Sequence, residues 1–265
     1  MTGLAEINLN LRASEIVSGD VSGGANTSHT IVVPALQALL ADFPANAPLA
    51  AYEHAAFERN VLGKKTEGAR RRTFRYLKEL YVLRPNSILF RALRDLWYDD
   101  PQAQPLLAGT CALARDAVFR ASSSMIIGSS PGETLTSADF ATAVGDRFPD
   151  SYCASTLAKI GRNTFSSWEQ TGHLTVGERH AKSRTQAICQ PANVAYALMV
   201  GYLQGARGQP LFETTWVQVL DQLPSHLYDL AFAASQRGLL EFRRAGGVVE
   251  VSFDELLRPM EGELL

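Results

Sequence analysis

The sequence predicts a mainly α-helical protein whose helices run, at two places, into short β-hairpins. Three observations predict this. From residue 32 onward apolar residues recur at helical spacing, with Gly and Pro at the breaks. Residues 150–190, DSYCASTLAKIGRNTFSSWEQTGHLTVGERHAKSRTQAICQ, read as one long helix followed by a basic two-strand hairpin. Residues 239–253, LLEFRRAGGVVEVSF, read as a second hairpin, two β-rich runs around an Arg-Ala-Gly-Gly turn.

The chain has 265 residues, 46% hydrophobic and 20% charged, enough for one large domain or two modest ones. Its net charge of −2 hides an asymmetry. Residues 60–84 hold Lys64, Lys65, Arg70, Arg71, Arg72, Arg75, Lys78 and Arg84 against only Glu67 and Glu79. Residues 158–190 hold Lys159, Arg162, Arg179, Lys182 and Arg184 against Glu169 and Glu178. Concentrated positive charge in an otherwise acidic chain suits local contact with a phosphate backbone, although solvated helix faces have the same look. Cys111, Cys153 and Cys189 form no C-x-x-C pair, which fits a reducing cytoplasm. The N-terminus lacks a basic stretch followed by an apolar run, so no signal peptide is expected. The most apolar segment, 194–203, is shorter than the ~20 residues of a membrane span, so no membrane contact is expected.

Residues 1–30 are weakly patterned. Ile7, Leu9 and Leu11 alternate as a short strand would, and 18–28 (SGDVSGGANTS) has the composition of a flexible loop. Helices are expected over 32–43 and 48–62. Thr66 is placed to cap a third through Val82, with Phe74, Leu77 and Tyr81 on its buried side. Arg71, Arg75 and Lys78 form a separate stripe, so this helix and the one before it suit a DNA-binding helix-turn-helix. After a helix over 85–97, the stretch YDDPQAQP divides an N-terminal helical domain (1–104) from a C-terminal one (105–265). Residues 106–127 read as one buried helix, 128–133 as a turn, and 136–148 as a helix capped by Thr136.

The long helix that follows, with Ser151 as a possible cap, has Leu157, Ile160, Thr164 and Trp168 on its core side. Cys153 is also expected to face inward. Ser155, Lys159, Arg162, Asn163 and Ser166 lie on the outer side. Arg can read guanine, Asn adenine, and Ser and Lys can hold phosphates. Strands over 174–176 and 185–188 would carry Arg179, Lys182 and Arg184 on or beside the tip. Three helices followed by a basic hairpin is the winged-helix order, a fold used for DNA and for protein contact. Residues 191–207 form an expected buried helix with Gly201 and Gly205 at a close packing. Helices over 211–223 and 224–237 then precede the second hairpin, so a second winged-helix-like unit is expected there, in a packing role.

No catalytic constellation is visible, so no enzymatic activity, cofactor or metal is expected. The histidines form no H-E-x-x-H site. Cys153, His173, His180 and Cys189 do not have the spacing of a known zinc site.

The runs ERNVLGKKTEGARRR (58–72), STLAKIGRNTFSSWEQTGHL (155–174), GYLQGARG (201–208) with Trp216, and ASQRGLLEFRRAGGVVEVSF (234–253) resemble the BrxA family, components of BREX bacteriophage-exclusion systems. The resemblance covers roughly residues 60–253; the first 30 residues diverge. It implies a mainly helical, non-enzymatic protein with winged-helix domains toward both ends. Such a protein binds double-stranded DNA alongside a methyltransferase, ATPases and a phosphatase-like protein. On this reading Lys159, Arg162, Asn163, Ser155 and the wing's Arg179, Lys182 and Arg184 contact DNA, and Lys64, Lys65, Arg71, Arg75 and Lys78 extend the contact. A protein-docking adaptor and a transcriptional regulator are the rival expectations.

Overall fold

The computed structural model describes residues 13–177 and 181–259. They are mainly helical, with two small antiparallel sheets. The first half holds α1 (Val33–Leu40), α2 (Leu49–Phe57), α3 (Glu67–Tyr81) and α4 (Ile88–Trp97). Thr66 caps α3 as expected, its hydroxyl accepting from the Ala69 amide at 3.2 Å. Phe74, Leu77 and Tyr81 are buried, as the 3.6-residue period requires.

Residues 106–127 do not form one helix. Asp116 is extended (φ −130°, ψ 103°) and separates α5 (Gln104–Arg115) from α6 (Ala117–Ala121), and a second break at Ser122 separates α6 from α7 (Ser123–Ile127). Its carboxylate accepts from the Phe119 amide at 2.9 Å and so starts α6. A two-residue strand, β1 (Thr134–Leu135), then precedes α8 (Ser137–Arg147) and α9 (Ala154–Gln170). The expected cap of α8 is present as a full capping box between Thr136 and Asp139.

The first sheet has the order β1-β3-β2, with β2 at Leu174–Val176 and β3 at Lys182–Arg184. Thr175 pairs with Ser183, which also pairs with Thr134 on the other side. β2 lies where the sequence places it, but β3 begins three residues earlier than expected. The more apolar 185–188 run instead leads toward the next helix, with Ala187 buried beside Gly172.

α10 (Pro191–Leu203) is the central pillar: every residue from Val194 to Val200 is fully buried. An all-round apolar helix belongs in the middle of a core, and α10 packs on α4 and α5 as well as on the elements that follow it. The Asn193 side-chain amide donates to the Ala103 carbonyl at 2.9 Å, and the Tyr196 hydroxyl donates to the Leu89 carbonyl at 3.0 Å. One apolar cluster runs from Ile16 to Leu256, and side chains from both sides of the 104/105 junction share it. A Cβ on Gly201 would come 3.1 Å from both Leu211 and Thr214, the close packing that its position suggested. Gly205 has no such neighbour; its φ of +96° serves the turn that ends the helix.

Residues 209–218 form a 3-10 turn (Gln209–Glu213) and the short α11 (Thr215–Gln218) rather than one long helix. α12 (Pro224–Gln236) leads into the second hairpin, β4 (Glu241–Ala245) and β5 (Val248–Ser252), as expected. The alternation at Ile7, Leu9 and Leu11 lies outside the described residues. Among the described residues no helix is long and apolar enough to cross a membrane.

Candidate nucleic-acid interface

α9 presents two faces. Ile160, Thr164 and Trp168 are fully buried. Trp168 stacks near Phe119 (ring centroids 4.7 Å apart) and donates from its indole to the Ser122 hydroxyl at 2.9 Å. Gly161 lets α8 approach, since a Cβ there would collide with the Ser137 carbonyl and Ala141. On the outer face Ser155, Lys159 and Arg162 are exposed, and Lys159 and Arg162 form no ion pair among the described residues. Arg162 borders two grooves. One of about 480 Å³ runs between α8 and α9 past Ala141 and Leu157; one of about 410 Å³ runs toward Gly177 and Lys182.

Three expected contacts point elsewhere. Arg184 is in the core, with no exposed side-chain surface. Its guanidinium contacts the Asp221 carboxylate at 2.8 Å and donates to the carbonyls of Thr185 and Ile126. The strand register turns this position inward, so it has no surface to offer a phosphate. Lys182 is a strap, 12% exposed: its ammonium bonds Glu169 at 2.7 Å and lies 4.1 Å from the Phe165 ring centroid. Asn163 is half-buried and donates its side-chain amide to the Asn26 carbonyl at 2.9 Å, in place of a base edge. Arg179 lies outside the described residues.

On α3, Arg71, Arg72, Arg75 and Lys78 are exposed; in the loop before it Lys65 is exposed and Lys64 half-buried. Arg71 pairs with Glu67 at 2.6 Å and lies over Phe57; Lys78 reaches Glu53 at 3.6 Å. Exposed pairs of this kind are worth about 0–1 kcal/mol and leave the cations exchangeable.

What sequence reasoning missed is the segment joining these helices. Residues 24–28 belong to the stretch with loop composition and a helix was expected from residue 32, yet Asn26 is fully buried. Its backbone and side-chain amides both donate to the Asp116 carboxylate (2.8 and 3.1 Å), and its side-chain oxygen accepts from the Ser167 hydroxyl at 2.8 Å. The Ile31 amide donates to that same hydroxyl at 3.1 Å, the Ile31 carbonyl accepts from Tyr81 of α3 at 2.6 Å, and the Val33 amide donates to Gln170 at 2.8 Å. Between them Val32 adopts a left-handed conformation (φ +49°), strained for a β-branched residue and held by these bonds on either side. Gly24 is required where it is: its φ is +149° and a Cβ would lie 2.6 Å from the Asp116 carboxylate. The His29 ring packs at a tilt against Tyr76 of α3, with ring centroids 4.7 Å apart. Its pKa is lowered by burial, with the nearby charges of Lys64 and Arg72 adding to the effect. The segment therefore touches α9 through Asn26 and α3 through His29 and Ile31, and the two basic helices flank it. Only the out-of-place Asn26 and Gly24 could have signalled it, and neither is distinctive in a Gly/Ser-rich stretch.

The cysteines and His173 occupy separate environments. Cys153 is exposed at the start of α9, contrary to the inward placement expected: the cap position precedes the first turn, where the helical period does not yet apply. His173 is buried, bonded to the Thr171 hydroxyl at 2.7 Å and the Val219 carbonyl at 2.8 Å. His180 lies outside the described residues, and no His/Cys/Asp/Glu group suited to a metal occurs among those described. Comparison with protein-family models, with curated proteins and with solved structures gives no match to this chain.

Proposed function

We propose that this protein binds double-stranded DNA, mainly through phosphates, as a non-enzymatic component of a BREX phage-defence system. The observation that carries this reading is the placement of two cationic helices on either side of one pinned segment. Lys65, Arg71, Arg72, Arg75 and Lys78 are exposed on or just before α3, and Lys159 and Arg162 are exposed on α9. Cations distributed in this way suit phosphate contact with weak sequence preference. Support for a winged-helix unit comes from the chain order β1, α8, α9, β2, β3 with β1 outside β3, which would make α9 the recognition helix. α12 with the β4–β5 hairpin is the candidate second unit. The BREX assignment rests on the sequence resemblance to the BrxA family. Its methyltransferase, ATPases and phosphatase-like protein are the proposed protein partners.

Gel-shift titrations of two variants test this. Arg71→Ala/Arg75→Ala/Lys78→Ala and Lys159→Ala/Arg162→Ala should each weaken DNA binding at least 10-fold with unchanged melting behaviour. Undiminished affinity in both variants overturns the reading.

A second reading, a docking adaptor for other defence subunits, is favoured by one feature. The groove beside Arg162 is lined largely by Ala138, Ala141, Ala154 and Leu157, which suits an apolar partner surface. It predicts stable co-purification with such a subunit and negligible DNA affinity.

A further inference from the structure

Another pair of cations lies apart from both basic helices. Arg120 is near the end of α6 and Arg147 is the last residue of α8. They converge on the chain at Gly19: a Cβ there would lie 3.6 Å from one Arg147 Nη2 and 3.7 Å from the Arg120 Nη2. Burial lowers the Arg120 pKa, and the charge of Arg147 adds to that, against the opposing pull of Asp116 and Asp20.

Each guanidinium is partly committed. Arg120 donates to the carbonyls of Leu113 (2.9 Å), Ala114 (3.5 Å) and Val17 (2.6 Å). Arg147 uses Nη2 for the Gly19 carbonyl (2.9 Å) and the Asp20 carboxylate (2.7 Å); its Nε and Nη1 have no hydrogen-bond partner among the described residues. Asp20 is 85% exposed, and an exposed pair of this kind exchanges readily for another anion.

Beside the two arginines lies a surface cavity of about 550 Å³, lined also by Ser123, Ser124, Thr215 and Ile127. Ile127 is 42% exposed, a large apolar side chain left uncovered among cations and hydroxyls. The volume lies within the range of small-molecule sites, which combine apolar walls with a few placed polar groups. Guanidinium donors match the oxygens of a phosphate. None of the lining residues belongs to α3 or α9.

We infer that this cavity binds a small molecule of nucleotide size bearing a phosphoryl group. Arg147 and Arg120 hold the phosphate, the serine hydroxyls donate to it or to its ester oxygens, and Ile127 meets the apolar body. The inference is independent of DNA binding by α3 and α9.

Isothermal titration of the full chain with AMP, inorganic phosphate and adenosine, at constant ionic strength, tests it. AMP should bind saturably, phosphate more weakly and adenosine not at all. Arg147→Gln should weaken AMP binding at least 10-fold. So should Ser124→Asp, which places a carboxylate at an exposed position of the cavity and leaves the Arg147 bonds to Gly19 and Asp20 in place, guarding against misfolding of the first variant. Lys159→Gln/Arg162→Gln should change AMP binding less than 2-fold. Absence of saturable AMP binding, adenosine binding as tight as AMP, undiminished binding in Ser124→Asp, or loss of binding in the α9 variant would each overturn it.

Discussion

Asn163 of α9 donates its side-chain amide to the backbone carbonyl of Asn26 at 2.9 Å, and this bond ties the long helix to a segment that also packs on α3. The residue expected to read a base edge thus helps set the distance between the two cationic helices. Asn26 is the more critical of the pair, since it also meets Asp116 and Ser167.

Asn26→Ala should therefore destabilise the protein by about 2–3 kcal/mol. It removes two side-chain hydrogen bonds and leaves the buried Asp116 carboxylate short of a donor. Denaturant unfolding measures this directly. A loss below about 0.5 kcal/mol would mean that the segment is merely laid on the surface.

Arg184 and Lys182 separate cations committed inside the fold from those left exposed. Arg184→Ala should cost about 3 kcal/mol of stability by stripping a buried charge contact from Asp221. Lys182→Ala should leave DNA affinity within about 2-fold, because its ammonium already holds Glu169. A gel shift of the lysine variant showing a loss as large as that of Lys159→Ala/Arg162→Ala would return Lys182 to the interface.

Acid sensitivity should centre on His173. Burial and the Arg184 charge lower its pKa to about 3 in the folded protein, against about 6.5 when unfolded. Between those values the unfolded chain binds the extra proton. Stability is then full above about pH 6.5 and falls by about 1.4 kcal/mol per pH unit below it. Urea unfolding at pH 7.5 and pH 5 checks this, with a shallower decline expected for His173→Gln. An equal decline in the variant would assign the acid sensitivity to other groups.

The three thiols should react at very different rates. The hydroxyls of Ser155 and Thr156, with the Thr156 amide, bring Cys153 down to about 7, whereas burial pushes Cys111 and Cys189 up to about 12. At pH 7.5 the native protein should lose the Cys153 thiol quickly to a disulfide reagent, the half-buried Cys189 thiol slowly and the buried Cys111 thiol only on unfolding. Rapid reaction of two or three thiols in the native state would contradict the burial of Cys111 and the partial burial of Cys189.

Local pattern made much of the helical fold legible. The caps at Thr66 and Thr136, the buried stripe of α3, the core face of α9 and the β4–β5 hairpin each depend on neighbours within a few residues. What stayed hidden depends on distant partners. Asp116 breaks a helix where its carboxylate meets Asn26, 90 positions away. Arg184 looks like a wing cation until β3 starts at Lys182 and Asp221 arrives beside it. β1 is too short for any periodicity and exists because β3 has a free edge to pair. For the candidate interface, residue type marks the cations, but only burial distinguishes Lys159 and Arg162, which face outward, from Lys182 and Arg184, which do not.

The most direct test of the DNA-binding claim is a salt series of affinities for a random-sequence duplex, measured with the unmodified protein and with Arg71→Ala/Arg75→Ala/Lys78→Ala. Each neutralised phosphate contributes roughly −0.9 to the slope of log affinity against log salt. The account predicts a steep negative slope for the unmodified protein, and one shallower by about 0.9 for each lost contact in the variant. A flat salt response, or the same slope in both proteins, would contradict it.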